Sequence, residues 1–545
     1  MTPSSTKPQE FDADVVVVGA GPVGLYTAIR LADAGHNVIV VDKQPKPYPL
    51  PRAITFDDEI ARLLSELGID GDHDPQIDCT DDWVLLRNGA REIIGRLDWR
   101  GVTPAGWHRL YWFHQPELEV RFAAMLAGRS RASLVRSWRV TEVHRTETCV
   151  TVSGAVTEPD GTVRPAELRC RYLVGCDGAN SVVREQAGLE MTDLGFHFDW
   201  LICDIVPIAP ETFDPMVFDT PMSQICDPTR PTTMVPAGPG RRRWEFMALP
   251  GEYLDELNTA ERAWELLAVW GVTPESARLE RHVVWRFQAK YAAQWRAGRI
   301  LLAGDAAHLM PPFAGQGMCA GIRDGASLAW RLDLILRGLA DDTLLDSYTP
   351  ERQYHVSHFM HVSMELGQAI CVTDPEIADA RDAAMKAAMR DPSLAPPPPP
   401  PLKLGPGVWR EGDPQAGHLS DQGSVTLDGR TGRFDEITGR GWVLIGRDHD
   451  PSAYLGAPVA QAFAAIGGRG VAIGTTAGAA NDVDGTYAAW FDRLQADVVL
   501  VRPDFYVAAA VSRAETDTAV QEILEKVRVL EPSPASSEAE YEKLR

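Results

Sequence analysis

Cysteine is scarce in this chain, and no two cysteines stand close enough in sequence to share a metal or a redox couple. The eight are Cys79, Cys149, Cys170, Cys176, Cys203, Cys226, Cys319 and Cys371. Without a CxxC or similar spacing, a zinc ribbon or dithiol site is excluded. The thiols read as small buried hydrophobes of a reduced, cytoplasmic protein. Long apolar runs are missing too: nothing reaches the ~18 residues that a membrane-spanning helix needs. The opening residues, MTPSSTKPQE, hold no apolar stretch, so no export signal is expected. Positive charge is in deficit. Lys+Arg number 53 against 76 Asp+Glu, a formal net charge of −23, which argues against nucleic acid or an anionic lipid surface as partner. What is present is ordinary for a globular protein: 45% hydrophobic and 24% charged residues, enough to bury a core without cross-links.

At 545 residues the chain should form several domains. One seam is visible. Pro396–Pro401 is an unbroken proline run, which lacks backbone donors and reads as a semi-rigid polyproline II linker. Met1–Glu10 and Pro532–Arg545 are polar and rich in small or charged residues, and both are expected to be disordered.

The first strand is legible at Asp14–Val18, DVVVV, a β-branched run without alternation, as in a parallel strand buried on both faces. Leu25, Ala28, Ile29 and Ala32 then recur at helical spacing, and Gly35 ends that helix. Asn37–Asp42, NVIVVD, is the next strand. The turn between strand and helix is Gly19-Ala20-Gly21-Pro22-Val23-Gly24, a GxGxxG. Gly19 permits a tight turn, Gly21 lets the backbone approach a pyrophosphate, and Gly24 lets the helix pack on the strand. The helix start offers N–H donors to phosphate, and Asp42 can take ribose hydroxyls. In this strand–turn–helix–strand–acid setting the motif predicts an adenine dinucleotide, FAD or NAD.

Two later segments separate those possibilities. RYLVGCDGANSVVR, Arg171–Arg184, is an apolar strand followed by Asp177-Gly178. RILLAGDAAHL, Arg299–Leu309, is another, followed by Gly304-Asp305, and MPPFAGQG then opens a helix at Gly315-Gln316-Gly317. A nicotinamide dehydrogenase has no need of these extra acid–glycine strand ends. A flavin, whose ribitol and ring extend far beyond the first turn, does.

With these three motifs in this order, residues 11–372 resemble the class A flavoprotein aromatic monooxygenases of the para-hydroxybenzoate hydroxylase type. PRAITFDDE, CDPTRP, RRRWEFMALPGE and AGQGMCAGIRD are similar, more closely, to the 3-(3-hydroxyphenyl)propionate hydroxylases. The resemblance implies a discontinuous α/β fold: a Rossmann-like FAD-binding domain over 11–190 and 285–372, with a β-sheet substrate domain inserted at 191–284. It further implies FAD as cofactor, NADH or NADPH as co-substrate, and O2 and a small aromatic compound as partners. The implied reaction inserts one oxygen ortho to the hydroxyl of a phenol through a flavin C4a-hydroperoxide. The implied substrate is 3-(3-hydroxyphenyl)propionate or 3-hydroxycinnamate, with another phenol, a resorcinol, a hydroxypyridine, a polyketide or an antibiotic as alternatives on the same scaffold. A flavin-binding protein without oxygenase activity is the reading from a different class. The cofactor set carried over is Gly19, Gly21, Pro22, Val23, Gly24, Asp42, Lys43, Arg52, Gln115, Asp177, Gly304, Asp305, Gly315, Gln316, Gly317 and Met318. The sequence departs from the family pattern at Cys319 and Ser327, where asparagines are usual.

The same resemblance turns the Pro312 carbonyl toward the substrate hydroxyl. His308 reads either as a proton relay or as a core histidine bonded to a neighbour. Arg230, Met234, Trp244 and Phe246, between the acid–glycine segments, and Phe313, after the second of them, are the candidate substrate wall, with Arg230 or the Arg241–Arg243 run as the cation for a carboxylate. No metal site is expected. Residues 373–407 form a helix and the proline-rich linker. Residues 408–531, with VLVRPD, resemble the thioredoxin-like appendage of the family. That segment has no cysteine, so packing or a homodimer contact is its expected role.

Overall fold

The computed structural model describes residues 11–219, 222–395, 397 and 402–528. The segments expected to be disordered, Met1–Glu10 and Pro532–Arg545, lie outside the described residues, as does the proline run apart from Pro397.

β1 (Ala13–Val18) leads through the glycine turn into α1 (Pro22–Asp33) and back to β2 (Val38–Val41). A loop reaches β3 (Thr55–Asp57), and α2 (Gln115–Ala127) precedes β4 (Ala132–Val135) and β5 (Val163–Gly175). Next come the strands of a second sheet: β6 (Met191–Pro207), β7 (Met222–Cys226), β8 (Thr232–Pro236), β9 (Arg242–Met247) and β10 (Ala277–Ala292). β11 (Ile300–Leu302) returns to the first sheet, and the long helices α3 (Gly317–Leu336) and α4 (Tyr348–Ile370) follow.

The first sheet has a parallel core, β11–β5–β1–β2–β4, to which the strands Arg296–Ala297, Trp138–Arg145 and Val150–Thr157 add antiparallel pairs. The strands are apolar and buried where both faces are covered, along β1, β2 and β11 and at the Leu173–Gly175 end of β5. α1 packs against α2 and α3. The approach to α3 is close because Gly321 and Gly325 lie one helical turn apart on the contact. A Cβ there would come within 2.5 Å of Val23 Cγ2 and 2.4 Å of Thr27 Oγ1. The fold class expected from the sequence is therefore the one observed.

The second sheet runs β10–β6–β9–β8–β7 and takes two further strands, Trp83–Asn88 and Ile93–Asp98, from the first part of the chain. The insert expected over 191–284 thus completes its sheet with residues from outside those bounds. One face packs under Leu257, Ala263, Leu267 and Trp270 as a separate core. The opposite face joins the main core.

The C-terminal unit contains β12 (Val443–Arg447), β13 (Arg469–Ile473), β14 (Val498–Val501) and β15 (Val507–Val511), followed by α5 (Thr516–Val527). The order β13–β12–β14–β15, with only the first pair parallel, is the arrangement expected of a thioredoxin-like unit. Buried ion pairs fasten it to the rest. Arg502 and Arg331, from opposite sides, both reach Glu351 (2.9 and 2.7 Å), and all three side chains are fully buried. Asp504 takes Arg502 at 2.6 Å and the Trp330 indole N–H at 3.0 Å. Arg62 pairs with Asp435 at 2.7 Å. No helix among the described residues is long and apolar enough to cross a membrane.

Burial alone would raise the Glu351 carboxyl, but Arg331 and Arg502 hold it at about 2, against an ordinary 4.5. A depressed folded-state value contributes stability above the unfolded value and loses it as pH falls toward the folded one. Glu351→Gln should cost about 3–5 kcal/mol by leaving the buried Arg331 without a counter-ion and Arg502 with Asp504 alone. Urea denaturation at pH 7 checks the loss, and the variant should show a shallower fall in stability between about pH 4.5 and pH 2.

Candidate active site at the strand ends

The sheet register brings the three sequence motifs side by side. Val18 of β1 pairs with Val41 of β2 and Gly175 of β5, and Gly175 pairs with Leu302 of β11. Asp42, the Gly19–Gly24 turn, Asp177-Gly178 and Gly304-Asp305 therefore follow adjacent strands at the same sheet edge, roughly 4.8 Å apart strand to strand. That carboxyl edge is where open α/β sheets bind ligands.

Each turn is tightly determined. Gly19 has φ +108°, and a Cβ there would lie 2.2 Å from the Cys176 carbonyl oxygen. A Cβ on Gly24 would lie 2.0 Å from Gly19 O, whereas one on Gly21 would meet nothing within 4 Å. Gly21 thus faces open space, and α1 begins there with Pro22 in its first turn and no side-chain cap. Val23 packs against Gly304 and Gly321. Asp42 accepts the Ala20 N–H and the Gln44 N–H, both at 2.7 Å, which ties the glycine turn to the end of β2. Lys43 is exposed.

Asp177 accepts from Ser181 Oγ (2.5 Å) and the Val183 N–H (3.1 Å). Burial pushes its carboxyl up, and those bonds oppose the rise. Asp305 is exposed at its strand end, yet the protein packed around it pushes its carboxyl up, against the pull of His308 and Arg52. Gln115 does not turn its acceptor toward the trench, the space beyond the carboxyl ends of β1, β2, β5 and β11. Its Oε1 takes the Arg52 and Ala53 N–H groups (3.2 and 2.7 Å), and its Nε2 donates to Glu119. Gln115 holds the loop that carries Arg52, and Arg52 itself is exposed over Tyr48.

The start of α3 faces the same trench. Gly315 is left-handed (φ +66°), and Gln316, the N-cap, makes no capping bond. Its amide is held from behind: Nε2 donates to Asp57 at 2.9 Å and Oε1 accepts from Arg323 at 3.0 Å. Arg323 pairs with Asp57 and Glu59, both at 2.5 Å. Gly317 and Met318 open the helix, and Gly317 has free space where a Cβ would stand. Cys319 is buried below the turn, and the Ser327 hydroxyl is taken by Arg331.

Beside this turn stands an aromatic wall. The Phe313 ring meets Trp200 and Phe287 edge-on at 5.7 Å each and Phe196 at 6.3 Å. Pro312 is exposed, and its carbonyl accepts the Gly315 N–H at 2.8 Å, which leaves one lone pair.

Comparison with known proteins matches this arrangement. Residues 12–363 match the family described as FAD binding domain, and residues 417–526 match the HcaD C-terminal domain. The chain belongs to the FAD binding domain family. It is 35% identical to a probable NADH-specific resorcinol 4-hydroxylase of Rhodococcus jostii (strain RHA1), over 91% of each chain. It is 32% identical to a 3-(3-hydroxy-phenyl)propionate/3-hydroxycinnamic acid hydroxylase of Mycobacterium sp. (strain JLS), over 94% of this chain and 91% of that one. Among solved structures it resembles aklavinone-11 hydroxylase in ternary complex with FAD and aklavinone (TM-score 0.75, 25% identity, 95% of this chain and 99% of that one).

The residues of this flavoprotein fit FAD. Two uncapped helix starts, α1 and α3, open onto the trench with N–H groups free for phosphate or a developing negative charge. Asp305 is accessible for a ribitol hydroxyl. Arg136, just past β4, has a buried Nη2 with no hydrogen-bond partner among the described residues and acts electrostatically on Glu119 beside Asp42. It suits the adenosine end. The sequence reading missed Arg136; its signal is an arginine one residue beyond a parallel strand's carboxyl end.

Other expected residues stand elsewhere. His308 is fully buried, with Nε2 2.7 Å from Asp324, which also takes the Gly304 N–H and Arg352. That is the core-histidine arrangement, not a relay open to the trench. Arg230 is not a free cation: it pairs with Glu252 (2.5 Å) and donates to Met247 O. Met234, Trp244 and Phe246 point to the far face of their sheet, into the core under Trp270. Of the proposed substrate wall, only Phe313 stands on the trench side.

Asp305→Ala should weaken FAD binding by roughly 10- to 100-fold, the loss of one charged hydrogen bond, without changing the melting temperature of the apoprotein. Fluorescence titration of apoprotein with FAD measures the first and thermal melting the second.

Proposed function

We propose that this chain is an FAD-dependent hydroxylase that consumes NADH and O2 and places one oxygen atom ortho to the hydroxyl of a phenolic substrate. One observation carries the reading: an uncapped helix start and a dry aromatic wall converge beside the exposed Pro312. NADH as reductant is supported by the name of the Rhodococcus relative. The phenolic substrate is supported by the names of both relatives, each of which denotes a hydroxylated benzene ring. In this reading 11–190 and 285–372 carry the flavin, 191–284 faces the substrate, and 408–531 is the appendage. We place the enzyme in the cytoplasm as a homodimer.

The overall balance is NADH, a proton, O2 and the phenol giving NAD+, water and the catechol-type product. FAD, when bound, supplies the hydride acceptance and oxygen activation that no side chain can. The chain supplies the setting. The N–H groups at Gly317 and Met318, backed by the dipole of α3, favour negative charge at the trench floor. Asp57 and Arg323 fix the Gln316 turn, so these donors are preorganised. Phe196, Trp200, Phe287 and Phe313 exclude water, which would otherwise divert activated oxygen to hydrogen peroxide. The remaining lone pair of the Pro312 carbonyl can accept the phenol proton in a hydrogen bond and enrich the ring in electron density.

NADH oxidation by the FAD-loaded protein should rise on addition of resorcinol or 3-(3-hydroxyphenyl)propionate, with a product about 16 Da heavier by mass spectrometry, one oxygen atom added. If neither these nor a wider phenol panel stimulates oxidation of NADH or NADPH, the hydroxylase reading fails.

A further inference from the structure

The trench face of the second sheet carries a polar row that neither the motifs nor the relatives assign. Strand alternation sets it. On β9, Trp244 and Phe246 turn outward, so Arg243, Glu245 and Met247 turn toward the flavin side. Cross-strand register extends each of these into a row. Gln224 pairs with Thr233, Thr233 with Glu245, Glu245 with Ile202, and Ile202 with Val283. Three neighbouring members, Gln224, Thr233 and Glu245, are polar and only 6%, 4% and 9% exposed.

The flanking rows locate this one. Two residues along, roughly 7 Å, Arg243 donates to the carbonyls of Arg52 and Pro51 (2.9 and 3.1 Å), on the loop that leads into β3. Two residues the other way, Met247 pairs with Trp200, whose ring meets Phe313. Glu245 therefore lies on the strip between the Arg52 loop and the aromatic wall beside Pro312.

Its hydrogen-bond capacity is unspent. Thr233 Oγ1 donates to Gln224 Oε1 at 2.6 Å. Neither Glu245 oxygen accepts a hydrogen bond from the described residues, and its nearest cation, Arg243 Nη1, is 3.8 Å away. A buried carboxyl in that state is costly unless something donates to it. The charge around it closes without a ligand charge. Arg243 and Arg281 both pair with Asp204 (2.6 and 2.7 Å), so with Glu245 ionised two guanidinium groups face two carboxylates, Asp204 and Glu245. A substrate carboxylate would leave that buried cluster with net negative charge, whereas a hydroxyl would not.

We infer that Glu245, with Thr233 and Gln224 beside it, is the substrate-recognition row, and that it selects an uncharged aromatic diol by accepting a hydrogen bond from the hydroxyl remote from Pro312. The inference rests on the hydroxylase reading and narrows its substrate. Burial pushes the Glu245 carboxyl up to about 7, against the pull of Arg243 and Arg281 and with the push of Asp204. Acceptance should therefore weaken as pH falls below about 7.

The test uses FAD-loaded wild type and Glu245→Gln, with resorcinol and 3-(3-hydroxyphenyl)propionate as probes. Kd comes from calorimetry, independent of turnover, and KM and kcat from NADH oxidation. Wild type should bind resorcinol more tightly than the phenylpropionate, with Kd rising below about pH 7. Glu245→Gln should raise Kd and KM for resorcinol about 10- to 100-fold, the loss of a charged hydrogen bond. Its Kd should no longer vary with pH, and its melting temperature and flavin content should hold. Tighter binding of the phenylpropionate by wild type would overturn the inference and point to Arg281, whose Nη1 has no partner, as a carboxylate site. An unchanged resorcinol Kd in the variant would also overturn it. Binding as expected with no stimulated NADH or NADPH oxidation would instead sink the hydroxylase reading and leave the row standing.

Discussion

Two adjacent residues on α3, Arg323 and Asp324, hold the site together. They project from neighbouring positions of one buried helix and engage opposite halves of the trench. Arg323 fixes Asp57, Glu59 and the Gln316 amide, and so positions the turn that opens the helix. Asp324 gathers the Gly304 N–H, His308 and Arg352, and so positions the turn after β11. Burial would raise the Asp324 carboxyl, but His308 and Arg352 keep it below its ordinary value. Both groups are charged and buried, so neither can lose a partner cheaply. That penalty is what makes the geometry single-valued. A neutral pair at these positions could pack as well but would not specify which turn goes where.

The same logic reaches the C-terminal unit. Tyr506 bonds His355 at 3.2 Å and also reaches Glu59, the partner of Arg323. Arg502 and Asp504 extend the buried ionic network to Trp330, Glu351 and Arg331. The appendage therefore packs on the back of the helix that carries the site. Having no cysteine, it acts on the flavin domain through packing and charge alone.

The substrate face shows how much hangs on strand parity. In RRRWEFM the aromatic residues attract attention as ligand-facing, yet they fill the core beneath Trp270. Their polar neighbours one residue away face the trench. Alternation makes the two sets mutually exclusive, and a single strand does not say which face is covered by helices. Likewise Arg230 reads as a free cation in sequence, but Glu252, on the far side of the β8–β9 hairpin, neutralises it.

The sequence by itself determined the parallel β-α-β start, the three glycine–acid turns, their order and the cysteine-free appendage. Each of these is local: a β-branched run, a glycine that needs positive φ or close approach, a strand end. It did not determine that the three turns stand in one line, because that depends on β5 and β11 pairing beside β1 across more than a hundred residues of intervening chain. Nor did it determine that Gln115 supports a loop, that His308 is sealed against Asp324, or that Glu245 faces the trench with no hydrogen bond to its oxygens from the described residues. Those outcomes belong to the tertiary structure. A side chain's partner and its exposed face are fixed by which elements pack together, and the residues flanking it carry no record of that.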